Sequence, residues 1–254
     1  MIIDITQDTK CKFLCLNESM GFLMSILLGV RRPINNSNIQ IVTNIICPLL
    51  KNKAVFKQSI LKESLIKLMT FDEKYLNAIL SYLLKSWPIR FPEIIIVYLD
   101  IIENLFTNKD TKNEDNIESS RKKRGSLREI LDSTLVDTPI MIQILKKIQT
   151  CFYDLNFLIA DRSLVYFKNE TFIIEIYKHK LENTFLNKLI GNIKEHWSQE
   201  IKIISKIVIE KLIKRDKNLK DLLTDEDMTT INNFQYEIEE TEDIWDIQFN
   251  LKGD

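Results

Sequence analysis

Large apolar side chains recur at intervals of three and four residues along almost the whole chain. Leu61, Leu65, Leu68 and Met69 follow i, i+4, i+7, i+8, and Leu76, Ile79, Leu80, Leu83 and Leu84 follow i, i+3, i+4, i+7, i+8. That period gathers them on one face of an α-helix and does not fit the alternation of a half-buried strand. The stretch from Ile201 to Ile213 is apolar on most faces, as expected of a helix packed on two sides. Only five glycines and five prolines punctuate 254 residues. A β-rich or nucleotide-binding domain of this size needs more glycine for its turns and phosphate loops. The pattern predicts an all-α chain of long helices joined by short polar turns.

Helix pairs are expected at 18–31 with 38–50, 57–70 with 73–86, 92–106 with 138–151, 155–167 with 171–192, and 196–215 with 217–250, the last open to a break. Turn residues separate them: Pro33-Ile34-Asn35-Asn36, Phe71-Asp72 and Trp87-Pro88. Four of the five pairs repeat at a spacing of about 40 residues, that of HEAT or armadillo units. The predicted fold is a HEAT-like α-solenoid of about five helix pairs, one domain over 1–254. One segment departs from the pattern. Residues 107–126 contain a single large apolar residue, Ile117, too little to offset the entropy of ordering, so a disordered insertion within the third pair is expected. Residues 221–254 form an acidic C-terminal segment, with no Lys or Arg between Asp221 and Leu251. A solvated helix face accounts for such a run.

Charge narrows the function. With 35 basic and 36 acidic residues the chain has no basic excess, which excludes a general nucleic-acid binder. Asp4 and Asp8 precede the first lysine, unlike the start of a signal peptide. The apolar run Gly21 to Val30 is too short to cross a bilayer, so no membrane partner is expected. Cys11, Cys15, Cys47 and Cys151 are scattered, as in a cytoplasmic or nuclear protein with reduced thiols.

Motifs for catalysis are missing. The two histidines, His179 and His196, stand in no H-E-x-x-H arrangement, and no cysteine pair has zinc spacing. The glycines, at 21, 29, 125, 191 and 253, are too isolated to build a phosphate loop, and G-x-S-x-G does not occur. No catalytic residue, metal or cofactor is assigned, and the chain is read as a non-enzyme. The basic cluster Arg121-Lys122-Lys123-Arg124 has three readings: a nuclear-import signal, a base-directed kinase site at Ser126, or a solvated loop. Phosphorylation would set about two negative charges beside four positive ones. Residues 127–132, LREILD, read as the start of a helix.

Asp161 and Arg162 sit side by side within an apolar helical run, where Phe157, Ala160, Leu164 and Phe167 share one face. Neighbours on a helix point about 100° apart and cannot bridge each other well, so each needs its own partner. Stacked helical repeats use such residues to tie one unit to the next. The other reading is a surface ion pair worth about 0–1 kcal/mol.

The same stretch carries a resemblance. Ala160-Asp161-Arg162-Ser163-Leu164-Val165-Tyr166-Phe167-Lys168-Asn169-Glu170 resembles the Ala-Glu-Arg-Ala-Leu…Tyr-Trp-Asn-Asn-Glu segment of the B-prime regulatory subunits of protein phosphatase 2A. Further similarities follow in the family's order. Ile46-Cys47-Pro48-Leu49 resembles its Leu-Leu-Pro-Leu, and Leu83-Leu84-Lys85-Ser86-Trp87-Pro88 its Leu-Leu-Lys-Tyr-Trp-Pro. Lys194-Glu195-His196-Trp197-Ser198 resembles its Lys-x-His-Trp-Asn, and Glu242-Asp243-Ile244-Trp245 is similar to its Glu-Glu-x-Trp. The resemblance implies a HEAT-like solenoid that binds the scaffold and catalytic subunits of the phosphatase and directs substrate choice in signal transduction. Its partners would be those subunits and substrate proteins.

The resemblance also has departures. Family members are considerably longer. Lys12-Phe13-Leu14-Cys15-Leu16 echoes a Lys-Phe-Leu-Gly-Leu that lies further upstream in them, which implies a missing block of helices. In the family that block carries arginines of a groove that holds Leu-x-x-Ile-x-Glu motifs. Of the opposite wall, Phe22 and Ile26 match apolar positions, while Asn35 and Asn38 replace a lysine and a histidine. Without cationic groups the motif's glutamate loses its charge-assisted hydrogen bonds, so weak or absent recognition is expected. The four residues have a second reading, as two core residues and two solvated turn asparagines. The function expected is a shortened, non-catalytic regulatory subunit. The alternative is a generic HEAT-type adaptor that no longer binds the phosphatase.

Overall fold

A computed structural model describes residues 16–30, 33–52, 59–107, 136–221 and 223–234. The chain is all-α, of the HEAT-like helical class expected from its period, and no strand occurs among the described residues. It divides into two compact units, Met1–Lys147 and Ile148–Asp254.

The first unit contains α1 (Leu16–Gly29), α2 (Asn36–Ile41), α3 (Ser59–Phe71), α4 (Glu73–Lys85) and α5 (Pro92–Glu103), and runs on into α6 (Thr138–Phe152). Helix α3 lies at its centre, in contact with α1, α4 and α5. The faces expected from the period are the faces that pack. Leu61, Leu65, Leu68 and Met69 of α3 and Leu76, Ile79, Leu80 and Leu83 of α4 are all buried. The α3–α4 turn is set by Asp72, whose extended backbone stops one helix while its carboxylate accepts the Lys74 N–H at 2.9 Å and caps the next. Asn35 caps α2 in the same way. Beyond Ile41 the helical path continues as a π turn, Val42–Ile46, and a 3₁₀ turn, Cys47–Lys51. Pro48, at the start of the 3₁₀ turn, has no N–H to extend an α-ladder through that point. Lys62 and Asp100 link α3 to α5 at 3.1 Å, a half-exposed pair worth at most about 1 kcal/mol.

The second unit contains α7 (Phe157–Leu164), a 3₁₀ turn (Val165–Lys168), α8 (Glu170–Lys178), α9 (Glu182–Glu195), α10 (Gln199–Arg215), α11 (Asn218–Asp221) and α12 (Asp225–Asn233). Its core is built on four fully buried phenylalanines. Phe152, Phe167, Phe172 and Phe185 meet with ring centroids 5.4–6.1 Å apart, mostly edge to face. Helix α10 contacts α9, α7 and α11, as its apolar girth predicts.

The helix expected over 171–192 is two helices, α8 and α9. Lys180 holds them apart with φ 53°, in the left-handed region. Its N–H bonds the Tyr177 carbonyl, and the next N–H, of Leu181, bonds that of Ile176, which is the Schellman pattern of a helix end. Buried Glu175 stands just before this stop. It faces His179 Nε2 at 3.2 Å and Lys178 Nζ at 3.1 Å. The helix expected over 217–250 is broken, with α11 and α12 within it. The 107–126 insertion beyond Thr107, with Arg121, Lys122, Lys123, Arg124 and Ser126, lies outside the described residues, as do 127–132 and 235–254 of the acidic segment.

Candidate functional site

In the second unit, the corner between α9 and α10 clasps the loop between α6 and α7. Side chains of the corner grip main-chain carbonyls of the loop. Asn192 Nδ2 donates to the Phe152 carbonyl at 2.8 Å and to Ser205 Oγ at 3.1 Å, all out of contact with water. His196 is buried. Its Nδ1 accepts the Ser198 N–H at 3.0 Å, so the ring hydrogen lies on Nε2, which donates to the Asp154 carbonyl at 3.1 Å. Trp197 Nε1 donates to the Leu155 carbonyl at 2.8 Å, and its ring stacks on His196 at 5.8 Å. Ser198 then caps α10, accepting the Ile201 N–H, and Asn156 caps α7, accepting from Leu158 and Ile159.

The clasp puts apolar side chains in water. Trp197 is 65% exposed although its only polar group is already bonded, and Leu155 and Leu158 beside it are exposed as well. A cleft of about 350 Å³ opens next to them, lined by Gln149, Thr150, Tyr153, Asp154, Leu155 and Lys188. The Tyr153 hydroxyl donates to Glu195, and this hydrogen bond, with burial, raises the phenol above its ordinary pKa. Lys188 Nζ lies 4.4 Å from the centre of the same ring. Gly191 makes room for that ring, which a Cβ there would meet at 3.0 Å. A large apolar side chain held rigidly at both ends suits protein docking, because little freedom is left to lose on binding.

In the first unit, the loop between α4 and α5 is also apolar and exposed. Ile89 is 93% exposed and Phe91 about half. The loop is anchored from below. Ser86 Oγ and Tyr98 Oη bond at 3.0 Å, Trp87 packs edge-on to Tyr98 at 5.7 Å, and Lys147 Nζ lies 5.8 Å from the Trp87 ring centre. Burial pushes the Tyr98 phenol up to about 12, so it stays a neutral anchor.

Phe22 and Ile26 do not enter the core; both are exposed on α1, one turn apart. Asn35 is an exposed cap whose Oδ1 accepts the Asn38 N–H at 2.9 Å, and Asn38 is buried. Asp161 and Arg162 are half-buried on α7, and each has an interaction partner. Among the described residues no cluster of three or more His, Cys, Asp or Glu is placed to hold a metal ion. Burial pushes the Cys47 thiol up to about 12, out of range of nucleophilic chemistry. No described helix is long and apolar enough to cross a membrane. Neither Asn192 nor the Glu175–His179 contact was visible as such in the sequence, although Asn192 stands where the apolar face of α9 predicts a core position.

The profile of the protein phosphatase 2A regulatory B subunit family (B56 family) matches residues 2–126 and 125–247. Among curated proteins, the chain is similar to the 56 kDa regulatory subunit beta isoform of serine/threonine-protein phosphatase 2A from Homo sapiens, with 24% identity over 215 residues. That covers 82% of this chain and 38% of the relative. The alpha isoform from Mus musculus is 24% identical over 212 residues, with the same two shares. The chain thus spans a little over one third of the length of the curated relatives it matches.

Proposed function

The chain belongs to the B56 family of protein phosphatase 2A regulatory B subunits, and from that premise we propose that it is a non-catalytic subunit that binds the phosphatase scaffold and catalytic subunits and biases which substrates they meet. The observation that supports this reading most is the anchored, water-facing Trp197 with Leu155 and Leu158, in a segment within the family match. Such a surface acts by contact. A specific interface needs about 800 Å² per partner, within reach of a few helix pairs.

The test is reconstitution. The chain is mixed with scaffold and catalytic subunits and run on size-exclusion chromatography. Co-elution as a stoichiometric trimer is expected. Elution as a separate folded monomer refutes the reading and leaves the generic adaptor in its place.

The same reading includes weak recognition of Leu-x-x-Ile-x-Glu motifs. Phe22 and Ile26 are available to an apolar residue, but Asn35 is occupied in capping α2 and Asn38 is buried, and neither offers a cation. A titration with a peptide of that form giving micromolar affinity would overturn it.

A further inference from the structure

The cleft over the α4–α5 loop has a chemistry of its own. It measures about 420 Å³ and is lined by Lys51, Arg90 and Ile94 together with Trp87, Ile89 and Phe91. Its walls are apolar, and the charges in its lining are all positive. Lys147 stands over Trp87, and exposed Lys85 closes the preceding helix. The positive end of α5 starts here too, at Pro92, with Phe91 giving the helix no side-chain cap. Glu93, exposed in the first turn of α5 and engaged in an interaction, is absent from the lining.

We propose that this cleft docks an acidic linear segment of a partner protein. An apolar side chain of that segment seats against Ile89 and Phe91, and its carboxylates pair with Arg90 and Lys51. The apolar contact supplies the anchor. The cations select the partner, because a carboxylate gains charge-assisted bonds from a guanidinium that a neutral amide does not. The anchor below the loop, from Tyr98 through Ser86 and Trp87, keeps the walls in place before anything binds. The inference stands apart from phosphatase binding, since it uses neither Trp197 nor its neighbours.

The probe is the acetylated peptide Glu-Leu-Glu-Phe-Glu-amide, with its glutamine counterpart Gln-Leu-Gln-Phe-Gln-amide as control, each at millimolar concentration. The readout is the indole N–H resonances of the isotope-labelled full chain, which has three tryptophans. The acidic peptide should shift the Trp87 resonance in a saturable way and leave Trp197 in place. The glutamine peptide should bind about tenfold more weakly. Arg90→Glu should weaken the acidic peptide by a similar factor, and Ile89→Asp should abolish the response. Both residues are exposed, so both variants should melt with the wild type. No Trp87 response, equal response to the two peptides, or unchanged binding by the variants overturns the proposal. Self-association that Ile89→Asp abolishes, with no peptide response, overturns it in favour of a second copy of this chain.

Discussion

Asn192→Ala tests whether the clasp holds the second unit together. Asn192 is wholly buried and donates to two acceptors, the Phe152 carbonyl at 2.8 Å and Ser205 Oγ at 3.1 Å. Alanine leaves the carbonyl orphaned, which costs about 1–3 kcal/mol. Ser205 loses less, since its hydroxyl can turn to the carbonyl four residues back on α10. A small void adds to the cost. Against this, Asn192 Oδ1 has no hydrogen-bond partner among the described residues, and removing it recovers part of that penalty. The net loss is about 2–3 kcal/mol. For a chain of this size that lowers the melting temperature by roughly 5–10 °C. Urea unfolding followed by tryptophan fluorescence measures it directly. Asn192→Asp sharpens the test, because it puts a carboxylate oxygen where a donor faced two oxygens. It should cost more than alanine at neutral pH. An alanine variant within about 0.5 kcal/mol of the wild type would refute the reasoning, as would an aspartate variant no worse than alanine.

Four further outcomes follow from the structure. Lys180→Gly should stabilise by about 0.5–1 kcal/mol, because φ 53° strains any residue with a Cβ; a lower urea midpoint would contradict the assigned helix stop. Lys194 and Thr224 hydrogen bonds hold the Asp227 carboxyl below its ordinary 3.8, so α12 should be held to α9 above that pH and released as pH falls below it. Hydrogen exchange of α12 amides, corrected for intrinsic rates, should show protection lost in that acid window, kept through neutral pH, and lost again only above the ordinary lysine range, because the Asp227 hydrogen bond raises Lys194 in turn. Trp197→Ala should weaken trimer formation by about 2 kcal/mol or more, some thirtyfold, with at most a small drop in melting temperature, as read from titrated size-exclusion profiles. Leu155→Ser and Leu158→Ser should leave melting unchanged and reduce the same association, because both side chains are exposed and the clasp holds the loop through carbonyls.

The helices and their packed faces were legible because burial and period carry the same information. Leu61 to Met69 and Leu76 to Leu83 had to face one core once they were helical. The stop at Lys180 was not legible. Left-handed positions are usually marked by glycine, and here a lysine occupies one while the apolar rhythm continues on both sides. Asn192 was half legible: Phe185, Leu189, Asn192 and His196 stand at i, i+4, i+7 and i+11, so an amide on the buried stripe implied a buried partner. The Phe152 carbonyl as that partner comes from tertiary structure alone. Exposure of Ile89, Leu155 and Trp197 was beyond pattern reading, because turns have no period from which to tell inside from outside.

The clasp separates fold from surface in a way that suits a regulatory subunit. Its donors are side chains: Asn192, His196 and Trp197. Its acceptors are main-chain carbonyls of residues 152, 154 and 155. Every residue type carries the same main-chain carbonyl, so these bonds to the loop between α6 and α7 survive a change of its exposed apolar side chains. Leu155 and Leu158 can therefore change without loosening the corner that presents them. The two neighbours in the corner divide the work in the same sense. His196, buried with both ring nitrogens bonded, can change only at the expense of the fold. Trp197 is bonded by its nitrogen and open to water on its ring. If this surface meets the phosphatase as proposed, its apolar loop side chains can change without the fold, and the buried donors Asn192 and His196 mark what must stay.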